Sequence, residues 1–153
     1  MKLYIKLLSL TLALMYVFLT GYVSGIFVDV SGAAQAILTE KLKFYPSPAA
    51  FEAIWSTVYL LETVLLTATI SEKKLRRAVT LWVVSGGIDI LAAYALFEGE
   101  LFAFAFALIL VSFFVNCRLT LFYAEHSPLA ALPEAAVTVW RANLAIYVFL
   151  LLT

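Results

Sequence analysis

The chain reads as long apolar runs broken by short polar punctuation. Five stretches reach the roughly 20 mainly apolar residues that an α-helix needs to cross a bilayer. They cover about residues 7–27, 48–70, 78–97, 101–123 and 128–152. The last has a readable start, with Ser127 as N-cap and Pro128 at the first helical position, where its missing N–H costs nothing. The connections at 71–77, 98–100 and 125–127 are short, so consecutive helices are expected to be antiparallel neighbours. Residues 28–47 make a longer loop than any connection requires, and its Leu42, Phe44 and Tyr45 suggest a segment that folds back as a lid.

Within these spans the polar positions are few and patterned. Glu52, Trp55, Tyr59 and Glu62 fall on one stripe of the second helix, and Trp82, Ser85, Asp89 and Ala92 on one stripe of the third. On the fifth, Trp140, Leu144 and Tyr147 share a face, with Arg141 about 100° round from Trp140. Six charged residues lie inside the spans: Glu52, Glu62, Asp89, Arg118, Glu134 and Arg141. Glu52, Arg118 and Glu134 lie nearer the helix ends, where interfacial water is expected to reach them. Glu62, Asp89 and Arg141 lie deeper, where a charge costs about 2.5–3.5 kcal/mol unless it turns inward and finds a partner. These three are therefore expected to form an interior charge network. Trp82, near a span end, is expected in the aromatic belt at the membrane surface. Gly86 and Gly87 suggest close helix packing.

Composition removes most other readings. Of 153 residues, 65% are hydrophobic and 13% charged, too little polarity to cover a water-facing surface. Lys plus Arg and Asp plus Glu both total 10, with no basic run to meet a nucleic acid. One Cys and one His make a structural metal centre a poor expectation. There is no phosphate cradle, nucleophile elbow or zinc-binding helix motif, so no enzyme and no obligatory cofactor are expected. Lys2 and Lys6 before an apolar run resemble a secretory signal, but that run continues to Phe27 with no Ala-x-Ala site, which favours a retained helix. Lys2, Lys6, Lys73, Lys74, Arg76 and Arg77 on one side outnumber Lys41 and Lys43 on the other. The positive-inside rule then puts the amino terminus in the cytoplasm and the carboxyl terminus outside.

One segment is more specific. Pro46-Ser47-Pro48-Ala49-Ala50-Phe51-Glu52-Ala53-Ile54-Trp55-Ser56-Thr57-Val58-Tyr59 resembles the signature of the TspO/MBR family, the tryptophan-rich sensory and translocator proteins. Pro46, Phe51, Trp55, Ser56 and Tyr59 occupy that signature's places; Lys41 and Phe44 match its first loop, and Ser127 to Leu132 with Trp140 resemble its fifth helix. The resemblance implies an all-α bundle of five transmembrane helices, often dimeric, that binds tetrapyrroles such as porphyrin or haem, or sterol-like molecules, between its helices. Carried over by position, the ligand-binding residues are Trp55, Tyr59, Asp89 and Trp140, with Leu144 and the lid's Phe44 beside them. The chain departs from the pattern in having only 3 Trp, Asp89 for an Asn, Ala92 for a Trp, Ala136-Val137 for a Pro-Tyr pair and Val148 for an Asn. Glu62 and Arg141 stand at positions ordinarily uncharged. Three functions follow as expectations: a sensor, carrier or regulator that binds planar hydrophobic ligands; a small proton-coupled transporter using Glu62, Asp89 and Arg141; or a membrane scaffold subunit.

Overall fold

The computed structural model describes residues 3–30, 48–98 and 101–152; of side chains, those at 22–30, 48–52, 55, 97 and 151 are outside the described set. The described residues form five α-helices: α1 (Leu3–Val30), α2 (Pro48–Ser71), α3 (Val79–Phe97), α4 (Phe102–His126) and α5 (Pro128–Leu152). α1 starts earlier and ends later than the apolar run at 7–27. Among the described residues, three helical stretches are long and apolar enough to cross a bilayer: Leu3–Gly21, Arg76–Leu96 and Phe102–His126. α2 contributes the shorter apolar run Ser56–Ser71, and α5 carries Glu134 and Arg141 within its length.

The outer surface is what a lipid solvent asks for. Phe18, Leu60, Val64, Val83, Phe114, Leu129 and Val139 are all exposed, an arrangement water would not tolerate over so much of a small protein. Hydroxyls on the helices are handled locally. Those of Thr11, Thr20, Thr57, Thr63 and Thr67 each donate to the carbonyl one turn earlier, so none needs water.

The helices close into a ring. α1 packs on α2 and α3, α3 on α4, α4 on α5, and α5 returns to α2. This corrects one expectation: α2 and α3, although joined by a short connection, touch only lightly, because α1 stands between them. The connection allows that step because it contains structure of its own. A turn closed by Leu75 and Arg76 donating to the Glu72 carbonyl leads into a 3₁₀ turn at Arg76–Ala78. At the α4–α5 corner Ser127 has extended backbone, and its carbonyl accepts from the N–H groups of Ala130 and Ala131, as an N-cap residue should.

Gly86 is what brings α1 onto α3. A side chain there would collide with the Tyr16 ring and hydroxyl and with Thr20. Without one, Tyr16 reaches past to donate its phenol proton to the Trp82 carbonyl, one turn back. Gly87 faces open space, so of the two adjacent glycines Gly86 is the one that is closely packed. Gly21 plays the same part between α1 and α2, lying under the ring of Tyr59.

Two apolar clusters lie at different levels. One joins Ala13, Leu65, Leu66, Ala78, Trp82, Leu119, Tyr123 and Ala131, close to the ends of α2 and α4 and the starts of α3 and α5. The other joins Ala92, Ile109, Ala145 and Val148, toward the opposite end. The first cluster overturns the reading of Trp82 as a belt residue. Trp82 is 4% exposed, and its indole N–H donates to the Tyr123 hydroxyl at 2.8 Å. The stripe it shares with Ser85 and Asp89 turns it inward, and that direction outweighs its depth.

Candidate functional site

Between the two clusters lies a polar layer that most of the helices help to build. Its centre is Asp89 on α3 and Arg141 on α5. These helices are not neighbours in the ring, so the pair reaches across the bundle interior. The contact is two-pronged: Arg141 Nε donates to Asp89 Oδ1 at 3.2 Å, and Nη2 donates to Oδ2. That fork matches a guanidinium to a carboxylate better than any lysine would.

α4 supplies the support. Ser112 donates its hydroxyl proton to Asp89 Oδ1 at 2.6 Å, and Asn116 Nδ2 donates to Ser85 Oγ at 2.9 Å and to the Ser112 carbonyl at 2.8 Å. Arg141 Nη2 reaches Ser85 Oγ at 3.4 Å. Ser85, Ser112 and Asn116 are all buried. The buried face of α4 runs Ala105, Ile109, Ser112, Asn116, Leu119 and Tyr123, the spacing of a helix with one inward stripe. Ser112 and Asn116 were not among the residues picked from sequence. They stand four apart in a nearly uncharged span, in register with Ala105 and Ile109, and that register is the signal that marks them.

Below this layer a second network links α2, α3 and α4. Thr69 donates to the Leu65 carbonyl, which leaves the Tyr123 phenol to donate to Thr69 while it accepts from Trp82. The proton of each of these groups is committed. The result is an aromatic floor joining α2, α3 and α4, tied to α1 through Tyr16.

Glu134 corrects the sequence reading most sharply. It was expected to reach interfacial water, yet it is 1% exposed and neither carboxylate oxygen has a hydrogen-bond partner. It lies on the face of α5 that also carries Val137, Arg141, Ala145 and Val148. Arg118 is exposed on α4. Glu62 is half-buried on α2. Among the described residues, Asp89 and Glu134 lie inside the bundle with Arg141, which is already engaged with Asp89. Arg141 Nη1 is also buried without a partner.

The aromatic candidates sit beside this layer. Trp140 and Tyr147 stack edge to face, ring centres 6.3 Å apart, on the flank of α5 next to the Arg141 face. Tyr59 is half-buried against α1. Leu144 packs on the cluster of Ala92, Ile109, Ala145 and Val148. Trp55 belongs to α2, but its side chain lies outside the described residues, as do the side chain of Glu52 and the whole of Phe44 and the expected lid. Of the sequence candidates, then, Asp89 and Arg141 are joined directly, and Trp140 pairs with Tyr147.

No curated protein matches this chain, and no solved structure does. The model of the TspO/MBR family matches residues 9–150, nearly the whole length and all five helices, so the chain belongs to the TspO/MBR family and is an integral membrane protein of that type.

Proposed function

We propose that the protein binds a tetrapyrrole or a similar planar hydrophobic molecule between its helices and acts through that binding as a sensor, carrier or regulator. The observation that carries this reading is the polar layer itself. A bundle that needed only to hold together in lipid would gain nothing from Asp89, Arg141, Ser85, Ser112 and Asn116 in its interior, since a buried ion pair is seldom more stabilising than apolar side chains of the same size. Polar groups kept inside a membrane bundle mark ligand or ion paths. Flanking aromatics at Trp140, Tyr147 and Tyr59 supply flat apolar surface for a macrocycle, while a few fixed polar groups orient it.

The test is a porphyrin titration of the purified protein, followed by quenching of Trp fluorescence. Saturable binding that weakens in Trp140→Ala supports the reading, and non-saturable partitioning equal to that of empty micelles overturns it. The rival is a proton-coupled transporter, favoured by one observation: a second acid, Glu134, is buried on the face of α5 that carries the Asp89-paired Arg141. Flux into liposomes with a pH dependence lost in Asp89→Asn would favour that rival over simple binding.

A further inference from the structure

Among the described residues, the cations outside the polar layer all lie toward one end of the bundle. α2 ends there and α3 begins there, and the connection between them carries Lys73, Lys74, Arg76 and Arg77, all exposed. That connection is ordered and anchored. Its turn is closed on the Glu72 carbonyl, the Ala78 N–H donates to the Leu75 carbonyl, and Leu75 packs on the apolar cluster of Ala78, Trp82, Leu119 and Tyr123. Its apolar residues therefore point in and its cations point out. Lys6, also exposed, lies at the same end, because α1 runs alongside α3 in the same direction, Tyr16 meeting Trp82 and Thr20 meeting Gly86. The exposed acids described at that end are Glu72 and Glu125, and among the described residues neither forms an ion pair with these cations.

Arg118 makes this surface specific. It is exposed on α4 in a stripe with Val111, Phe114 and Leu121, the spacing of one outward side of a helix. From Arg118 to His126, the end of α4, is about 12 Å along the axis. Asp89, Glu134 and Arg141 turn inward, whereas Arg118 has lipid beside it. A guanidinium so placed is costly unless its stem lies along the helix and its head meets an anion at the headgroup level. A lipid phosphate fits, since its oxygens match the guanidinium fork. From this placement we propose that this end of the bundle binds anionic phospholipid headgroups, Arg118 clasping a phosphate on the lipid-facing side of α4 and the cations of the α2–α3 connection drawing in further acidic headgroups. Clustered cations beside a membrane span are attracted to acidic lipid, each adding to the pull. A choline lipid offers the same phosphate, but it brings a second positive charge to a surface that is already positive, so the acidic headgroup is selected. This surface lies outside the bundle and does not depend on what the interior binds.

The probes are phosphatidylglycerol and phosphatidylcholine with the same acyl chains and a nitroxide on the tail, each in trace amount in phosphatidylcholine bilayers that hold the full-length protein. Electron paramagnetic resonance separates lipid held at the protein from free lipid. The same lipid in both leaflets makes the result independent of the protein's orientation. Phosphatidylglycerol should associate with wild type about fivefold more strongly than phosphatidylcholine at low salt, and the excess should fall as salt is raised. Arg118→Gln should lower that preference. Lys73→Gln, Lys74→Gln, Arg76→Gln and Arg77→Gln made together should remove most of it, while Phe114→Ala, on the same stripe as Arg118, should leave it unchanged. Equal association of the two lipids with wild type, or an unchanged preference in both charge variants, overturns the proposal. A preference unchanged in Arg118→Gln alone overturns the phosphate assigned to Arg118. Loss of the preference to excess inorganic phosphate at constant ionic strength would mark a small-anion site and overturn the lipid assignment. Where the fourfold variant fails to fold, Lys73→Gln with Lys74→Gln should still reduce the preference, and no reduction there counts against the surface.

Discussion

At the residue scale, the Asp89–Arg141 pair carries the largest single consequence. Breaking a buried pair by removing one partner typically costs about 3–5 kcal/mol, whereas replacing both is often nearly neutral. Arg141→Leu should therefore lower the detergent melting temperature more than Arg141→Leu combined with Asp89→Leu. Simple addition of the two single losses would argue that the residues do not act as a pair. Ser112→Ala should cost less, about 1–2 kcal/mol, since it strips one hydrogen bond from a carboxylate that keeps its guanidinium. Trp82 gives the complementary case. As a floor residue bonded to Tyr123 it should matter to stability and little to ligand affinity, so Trp82→Phe should lower the melting temperature without changing porphyrin binding. What the sequence made legible here was depth: Asp89 and Arg141 lie far from any helix end. Distance from a helix end does not give side-chain direction, and for that reason Glu134 and Trp82 were placed in the interface when both point inward.

At the scale of elements, the two adjacent glycines of α3 separate packing from propensity. Gly86→Ala puts a methyl group onto the Tyr16 phenol and should cost about 1–3 kcal/mol by prising α1 from α3. Gly87→Ala meets open space and should be neutral or stabilising by up to about 1 kcal/mol, because Ala is the better helix former. Melting curves of the two variants, read side by side, decide the matter; equal losses would mean that the contact is not what sets the α1–α3 distance. The helices themselves were legible from hydropathic length, and their corners from Ser127-Pro128 and the charged run at 72–77. Their neighbours were not. Loop length bounds how far apart two helices are, but insertion of α1 between α2 and α3 depends on Gly21 and Gly86 admitting Tyr59 and Tyr16, a match between distant parts of the chain. Glycine pairs announce close packing in general without saying which member is packed or against what.

At the scale of the whole molecule, membership of the TspO/MBR family and a lipid-facing exterior agree on a membrane bundle, and the interior gives that bundle its particular character. Orientation is a separate expectation, resting on the Lys73, Lys74, Arg76 and Arg77 cluster. With Cys117 replaced by Ser, single cysteines at positions 71 and 32 should be labelled from opposite sides of the membrane, position 71 from the cytoplasm. Labelling of both from one side would contradict the proposed topology. The family pattern was legible in the second helix, whereas the pairing of Asp89 with Arg141 was not, because it joins two helices that are not neighbours in the ring. The claim that ties these scales together is that a flat hydrophobic ligand is held inside the ring beside Trp140. The most direct measurement is porphyrin titration by fluorescence quenching of wild type, Trp140→Ala and Phe114→Ala in one detergent. Loss of an aromatic anchor from a desolvated pocket costs on the order of 2 kcal/mol, so Trp140→Ala should bind about thirtyfold more weakly and Phe114→Ala like wild type. Equal affinity in all three proteins would contradict the account, even with the fold unchanged.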